Sequence, residues 1–228
     1  METLKTSKDV GVKVKNNIKD IEPLKQHQKD IIDKDPKWWG LWLGTGSGKS
    51  RTALEMARGK TLVICPKQQK LDKTWEKNAE RFKIYDKGVS LKVVSKEELK
   101  NKFKEIFYEF REEGYTTLII DEAHYFFTGI GPFTKRVKGE EVPATSLLLE
   151  ALTIFLKHNK PERLYMLTAT PASKPFHVWT IAGLLNFPRP DYYRFRAKYY
   201  IEQKNGARRL FFPTKNKELQ DNLPTALS

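Results

Sequence analysis

Three short stretches of this chain combine residue types able to hold and cleave a phosphoanhydride. The first is GTGSGKS at 44–50. Its alternating glycines allow the backbone of Gly44, Thr45, Gly46, Ser47 and Gly48 to turn amides inward around an anion. A helix starting near Lys49 would point its N-terminus at the same anion. Lys49 would then reach the β- and γ-phosphates of ATP, and Ser50 would hold Mg²⁺. The strict form of this loop asks for glycine where Leu43 stands.

The second stretch is LIIDEAH at 118–124. An acid just past an apolar strand lies at the carboxyl edge of a sheet, where open α/β folds bind ligands. Asp121 would contact Mg²⁺ there, and Glu122 would orient and deprotonate the attacking water. The third is LTATP at 167–171, also past a strand, where Thr168 and Thr170 could link the carboxylates and His124 to motion elsewhere. Each stretch alone has an ordinary reading as a turn or strand end. In this order, each after a strand, they make 44–50 a phosphate cradle, with Lys49, Asp121 and Glu122 as the catalytic set.

Such residues need a scaffold, and the pattern predicts one. LKQHQKDIIDKD reads as a helix with Leu24, Gln28, Ile31 and Ile32 at helical spacing, stopped by Pro36. Strands are predicted at Trp39–Leu43, 61–65, 91–95, 116–121 and 163–170. Helices are predicted from Lys49, over Lys70–Phe82, through 97–113 and over 144–159. Apolar strands alternating with helices indicate a doubly wound, mostly parallel α/β sheet covered on both faces. The segment 128–143, rich in Gly, Pro and charge, reads as an exposed loop, and its KRVKG as a nucleic-acid contact or a plain polar loop.

At 228 residues the chain fits one domain with extensions. We expect a basic arm at 1–21, a nucleotide-binding lobe at 22–187 and a basic, aromatic extension at 188–228. The formal charge of +14, with 42 Lys and Arg against 28 Asp and Glu, favours a polyanionic partner, nucleic acid first. The single cysteine, Cys65, excludes an internal disulfide and reads as a core residue. Neither a signal peptide nor a membrane-spanning apolar run is present, which suggests a cytoplasmic protein without membrane partners.

Taken together, the motifs resemble those of the first RecA-like lobe of superfamily 2 helicases and translocases: GTGSGKS their motif I, DEAH their motif II and LTATP their motif III. LKQHQ is similar to the Q motif, which would give Gln28 an adenine-reading role. VICPKQQKLDKTWEKNAERF, VVSKEEL and LTATPASKPFHVWTIAGLLNF resemble segments of the Swi/Snf-type branch, and NKELQDNL at 216–223 faintly resembles its continuation. The resemblance covers roughly 22–187. It implies an ATP- and Mg²⁺-dependent motor lobe acting on nucleic acid, with duplex DNA suggested by the Swi/Snf flavour. It also implies a second RecA-like lobe, supplied by a longer chain, which the 216–223 similarity favours, or by another chain. A non-catalytic binding module with ATP as a regulatory ligand is the alternative.

Some residues stay open at this stage. Lys67, Gln68, Ser95 and Lys96 follow strand ends and could touch phosphates or simply face solvent. DYYRFRAKYY could stack bases, yet Tyr192, Phe195 and Tyr199 share a helical face suited to packing. Trp38, Trp39 and Trp42 read as packing around the first strand, and the sequence does not decide whether Arg51 lies near the nucleotide.

Overall fold

The apolar runs become the interior of a five-stranded parallel sheet. The computed structural model describes residues 21–205 and 208–213. The strands are β1 (Trp38–Leu41), β2 (Lys60–Cys65), β3 (Ser90–Ser95), β4 (Thr117–Ile120) and β7 (Arg163–Leu167), in the order β1-β7-β4-β2-β3. β4 lies at the centre, pairing Ile120 with Ile64 on one side and with Met166 on the other. Every pairing in this sheet is parallel, so every strand delivers its carboxyl end to the same edge.

Alternation along the strands divides the core between two faces. Leu62, Ile64, Leu118, Ile120, Leu164 and Met166 point to one face. There they meet α6 (Phe103–Glu112), α8 (Leu147–Asn159) and α9 (Pro175–Leu184) through Phe110, Phe155 and Ile181. Val63, Cys65, Ile119, Tyr165 and Leu167 point to the other, against α2 (Lys49–Met56) and α4 (Thr74–Arg81) through Leu54, Met56 and Trp75. The doubly wound α/β fold is thus present as expected. Cys65 is buried in that core, and burial pushes its thiol pKa up to about 12.

Several local expectations need correction. The first strand ends at Leu41 rather than Leu43; Trp42 leaves the sheet and sets its ring edge-on to Phe127 at 5.7 Å. Trp38 donates from Nε1 to Pro161 O at 3.0 Å, so both indoles pack as expected. The helix predicted over 70–82 is two helices, α3 (Lys67–Leu71) and α4, because Lys73 adopts a left-handed φ of 53° between them. The stretch 97–113 is likewise split at Lys102 into α5 (Lys96–Asn101) and α6. The strand leading into the third motif stops at Leu167, not Thr170.

The largest correction is at 128–143. After the short α7 (His124–Phe127), this supposed loop forms an antiparallel hairpin of β5 (Ile130–Val137) and β6 (Glu140–Thr145). Lys138 and Gly139 turn it with φ of 50° and 86°, the two positive values that a tight hairpin turn demands. The hairpin is anchored from α10 (Tyr192–Tyr199): the Tyr192 hydroxyl reaches Gly131 O and Phe133 O at 2.9 Å each, and Tyr193 donates to Glu141 O. Tyr192 and Phe195 are buried against Phe176, which settles the aromatic segment for these two residues as packing rather than base stacking. A second hairpin, β8 (Tyr200–Asn205) with β9 (Arg208–Pro213), follows. The arm at 1–20 and the 216–223 similarity lie outside the described residues.

Candidate nucleotide site at the carboxyl edge of the sheet

Because all five strands end at one edge, the three chemical stretches converge there. The glycine loop leaves β1 and closes with Ser47 N donating to Gly44 O at 3.4 Å. Gly46 and Gly48 sit at φ of 73° and 85°, and Gly48 forms the left-handed start of α2. Lys49 folds its ammonium back onto the loop, donating to Leu43 O at 2.8 Å and Gly44 O at 2.9 Å. A side chain added at Gly44 or Gly46 would meet nothing within 4 Å, so the loop opens onto free space. The hydroxyl of Ser47 is buried without a partner among the described residues.

The loop is braced by α1 (Gln26–Asp33). Gln28, 3% exposed, accepts from Lys25 N at 2.9 Å through Oε1 and donates to Gly48 O at 3.2 Å through Nε2. His27 Nε2 lies 3.0 Å from Ser47 O. Arg51 is engaged with the ring of Phe82, its guanidinium 4.5 Å from the centroid.

The acid stretch is stitched to both neighbouring strands. Asp121 N donates to Ile64 O at 2.8 Å, and Ala123 N donates to Leu167 O at 2.9 Å. Asp121 is 8% exposed, and burial raises its carboxyl above the usual range, against the opposing pull of hydrogen bonds from Glu122 N and Gln69 and of the Lys49 charge. Glu122 occupies a left-handed φ of 47°. His124 Nδ1 stands 3.1 Å from Glu122 Oε2 and 3.1 Å from Thr168 Oγ1. The Thr168 hydroxyl is the hydrogen-bond partner of Nδ1, and Glu122 Oε2 lies at ion-pair distance from the same atom. Thr168, fully buried, in turn accepts from Thr170 N at 3.1 Å. Geometry therefore brings Glu122, His124, Thr168 and Thr170 together as one connected group.

The residues considered for phosphate-backbone contact are placed differently from one another. Lys67 opens α3 and is exposed; Gln68 donates to Asp72 at 3.0 Å. Ser95 is 2% exposed and serves as the N-cap of α5, accepting from Glu98 N at 3.1 Å. Lys96 holds its ammonium 3.1 Å above the centre of the Tyr125 ring. Sequence reasoning passed over His27, Gln69 and Tyr125; their only signal was adjacency to Gln28, Gln68 and His124.

An apolar cavity of about 470 Å³ lies elsewhere, between the β5–β6 hairpin, α8 and α9, and shares no residue with this site. Among the described residues, no group of three or more His, Cys, Asp or Glu could hold a metal by itself. No helix among them is long and apolar enough to cross a membrane.

The family model for the type III restriction enzyme, res subunit, matches residues 12–173. The chain belongs to that family. With membership comes the superfamily 2 helicase-like ATPase domain that the motifs resemble, a RecA-like lobe that binds a nucleotide. Among solved structures, the res-family chain is similar to the Pyrococcus furiosus Hef helicase domain at 16% identity, with a TM-score of 0.43. The likeness covers 72% of this chain and 36% of that one, so this chain spans about a third of the structure it matches. No curated protein sequence matches it.

Proposed function

We propose that the chain is the ATP-binding motor lobe of a nucleic-acid-dependent ATPase, a helicase or double-strand translocase that hydrolyses ATP with Mg²⁺ against a second RecA-like lobe. The observation that carries this reading is the junction of the glycine loop with the connected Glu122–His124–Thr168 group at one sheet edge. We place the lobe at 22–187, with 1–21 as a basic arm and 188–228 leading towards the second lobe.

The residues present suit a nucleotide with Mg²⁺. The orphaned Ser47 hydroxyl, the open face of Gly44 and Gly46 and the buried acid Asp121 are what a bound phosphate and ion would use. Mg²⁺ is commonly held by one or two carboxylates together with substrate phosphates. Here Ser50 and Asp121 would hold it, and it would supply charge neutralisation at the phosphates. Lys49 would exchange its two carbonyls for phosphate oxygens, a stronger, charge-assisted contact. Glu122 would orient the attacking water and take its proton, held in place by the imidazole of His124. Gln28 braces the loop with one of its two N–H donors and one of its two acceptor sites, and would read adenine with the donor and acceptor that remain.

The +14 charge supports a nucleic-acid partner, and the Swi/Snf-like segments favour duplex DNA. The test is steady-state ATPase and Mg²⁺-dependent ATP binding of this chain, alone and with duplex DNA, single-stranded DNA and RNA. Lys49→Ala should lose nucleotide binding. Glu122→Gln, in the assembled enzyme, should bind ATP without turning it over. Wild-type turnover by Glu122→Gln would refute the assignment of the base.

A further inference from the structure

Among the described residues, Tyr125 is the aromatic side chain that touches both the hydrolytic group and a candidate phosphate contact. Its ring lies against that of His124, centroids 4.3 Å apart at 35°. On it rests the ammonium of Lys96, 3.1 Å from the centroid. Lys96 begins α5 at the end of β3, whereas Tyr125 belongs to α7 after β4, and β2 runs between those strands. The two side chains therefore bridge over the end of β2, from the outer edge of the sheet to its centre. Tyr125 is 41% exposed, so packing of the core does not account for its position.

We propose that Tyr125 is a positioning residue that reports nucleic-acid contact at Lys96 to His124; the proposal rests on the motor-lobe reading above. A cation held over an aromatic face is a weak contact near the surface, and a phosphate oxygen competes for the ammonium with a charge-assisted hydrogen bond. The carboxylate of Glu97, 3.9 Å from Lys96, is too exposed to hold it against that competition. When a backbone phosphate draws Lys96 off the ring, Tyr125 loses the cation that pins it against the imidazole. His124 shares Nδ1 between Glu122 and Thr168, so a small movement of its ring changes how firmly the Glu122 carboxylate is held. Contact at the β3 edge thereby reaches the site at β4 without any movement of the sheet.

The experiment measures the affinity of the 228-residue chain for a fluorescent ATP analogue with Mg²⁺, with and without a saturating DNA duplex, at fixed ionic strength. The quantity read is the ratio of the two affinities, in wild type, Tyr125→Leu, Tyr125→Phe, Lys96→Ala and the Tyr125→Leu/Lys96→Ala double variant. In wild type we expect the duplex to change affinity by about five-fold or more, the lower end of ordinary coupling between sites. Tyr125→Leu should bring the ratio to about one, with the DNA-free affinity moved to the value wild type shows with duplex bound, and adding Lys96→Ala should change it no further. Tyr125→Phe, which keeps the aromatic face, should keep the coupling. A wild-type ratio in Tyr125→Leu overturns the relay. So does a wild type that binds the nucleotide but shows no coupling, and if Lys49→Ala then abolishes binding, the nucleotide site itself stands. Unchanged binding in Lys49→Ala would instead bring down the motor-lobe reading.

Discussion

The side-chain amide of Gln28 donates to the carbonyl of Gly48 across 3.2 Å and ties α1 to the turn that opens α2. Position 48 is therefore constrained twice. Its φ of +85° disfavours any side chain, and an added Cβ would lie 2.4 Å from Gln28 Nε2. Removing the bond with Gln28→Ala should weaken ATP binding about five-fold, the equivalent of roughly 1 kcal/mol for one hydrogen bond. Gly48→Ala should cost more, since it adds about 1–2 kcal/mol of left-handed strain to the displaced amide. Calorimetric titration with ATP and Mg²⁺ would rank the two. Wild-type affinity in Gln28→Ala would show that the loop keeps its shape without the brace.

Asp121 gives a prediction in pH. Burial raises its folded pKa above the unfolded value, so its favourable contribution is complete below the unfolded pKa and disappears as pH rises through the folded one. Above its folded pKa, the ionised Asp121 then costs the ligand-free chain stability. Asp121→Asn should raise the Tm at pH values above the folded pKa of Asp121, with the gain fading as pH falls through that raised pKa towards the unfolded one. The same variant should lose Mg²⁺-dependent ATP binding. A stability difference that ignored pH would contradict the burial argument.

Thr168 offers a separation of binding from turnover. Its hydroxyl is buried and shared between His124 Nδ1 and Thr170 N. Thr168→Val keeps the volume and removes both contacts. We expect Mg²⁺-dependent ATP binding to persist, and turnover in the assembled enzyme to be lower by about ten-fold or more, part of what a positioned general base supplies. Unaltered turnover would mean that Glu122 alone suffices to hold the imidazole.

The hairpin anchor can be tested without any nucleotide. Tyr192→Phe deletes the hydroxyl that reaches Gly131 O and Phe133 O while leaving the buried ring in place. The loss should be about 1 kcal/mol, or a Tm lower by roughly 2–4 °C. Amide exchange should quicken across 130–145 and stay unchanged in β4. Exchange that rose evenly across the chain would show that the hydroxyl supports the whole fold instead.

The parallel sheet was legible because buried parallel strands are apolar on both faces: LIID and LVIC announce themselves whatever surrounds them. The three chemical stretches were legible because each followed such a strand. The β5–β6 hairpin was not. Gly131 and Pro132 lie where its register shifts between Ile130 and Thr134, which breaks the alternation, and its turn is Lys-Gly rather than Asn-Gly or Asp-Gly. The helix breaks at Lys73 and Lys102 carry no Gly or Pro, and the first leads directly into the burial of Trp75, a tertiary demand. Ser95 shows the same limit in the site: a serine after a strand can face a ligand or cap a helix, and Glu98 three residues on was the sign that it caps.

The paired amides of Asp121 and Ala123 have a mechanical consequence. They are held by carbonyls of opposite neighbours, Ile64 and Leu167, so the acid stretch cannot advance or retreat unless two strands slide with it. It is the stationary reference of the site. The distance between its backbone and a bound phosphate can then change only through the glycine loop, whose lysine rests on that loop's own carbonyls, or through a body arriving from the open side; within the stretch itself, only side chains are free to move.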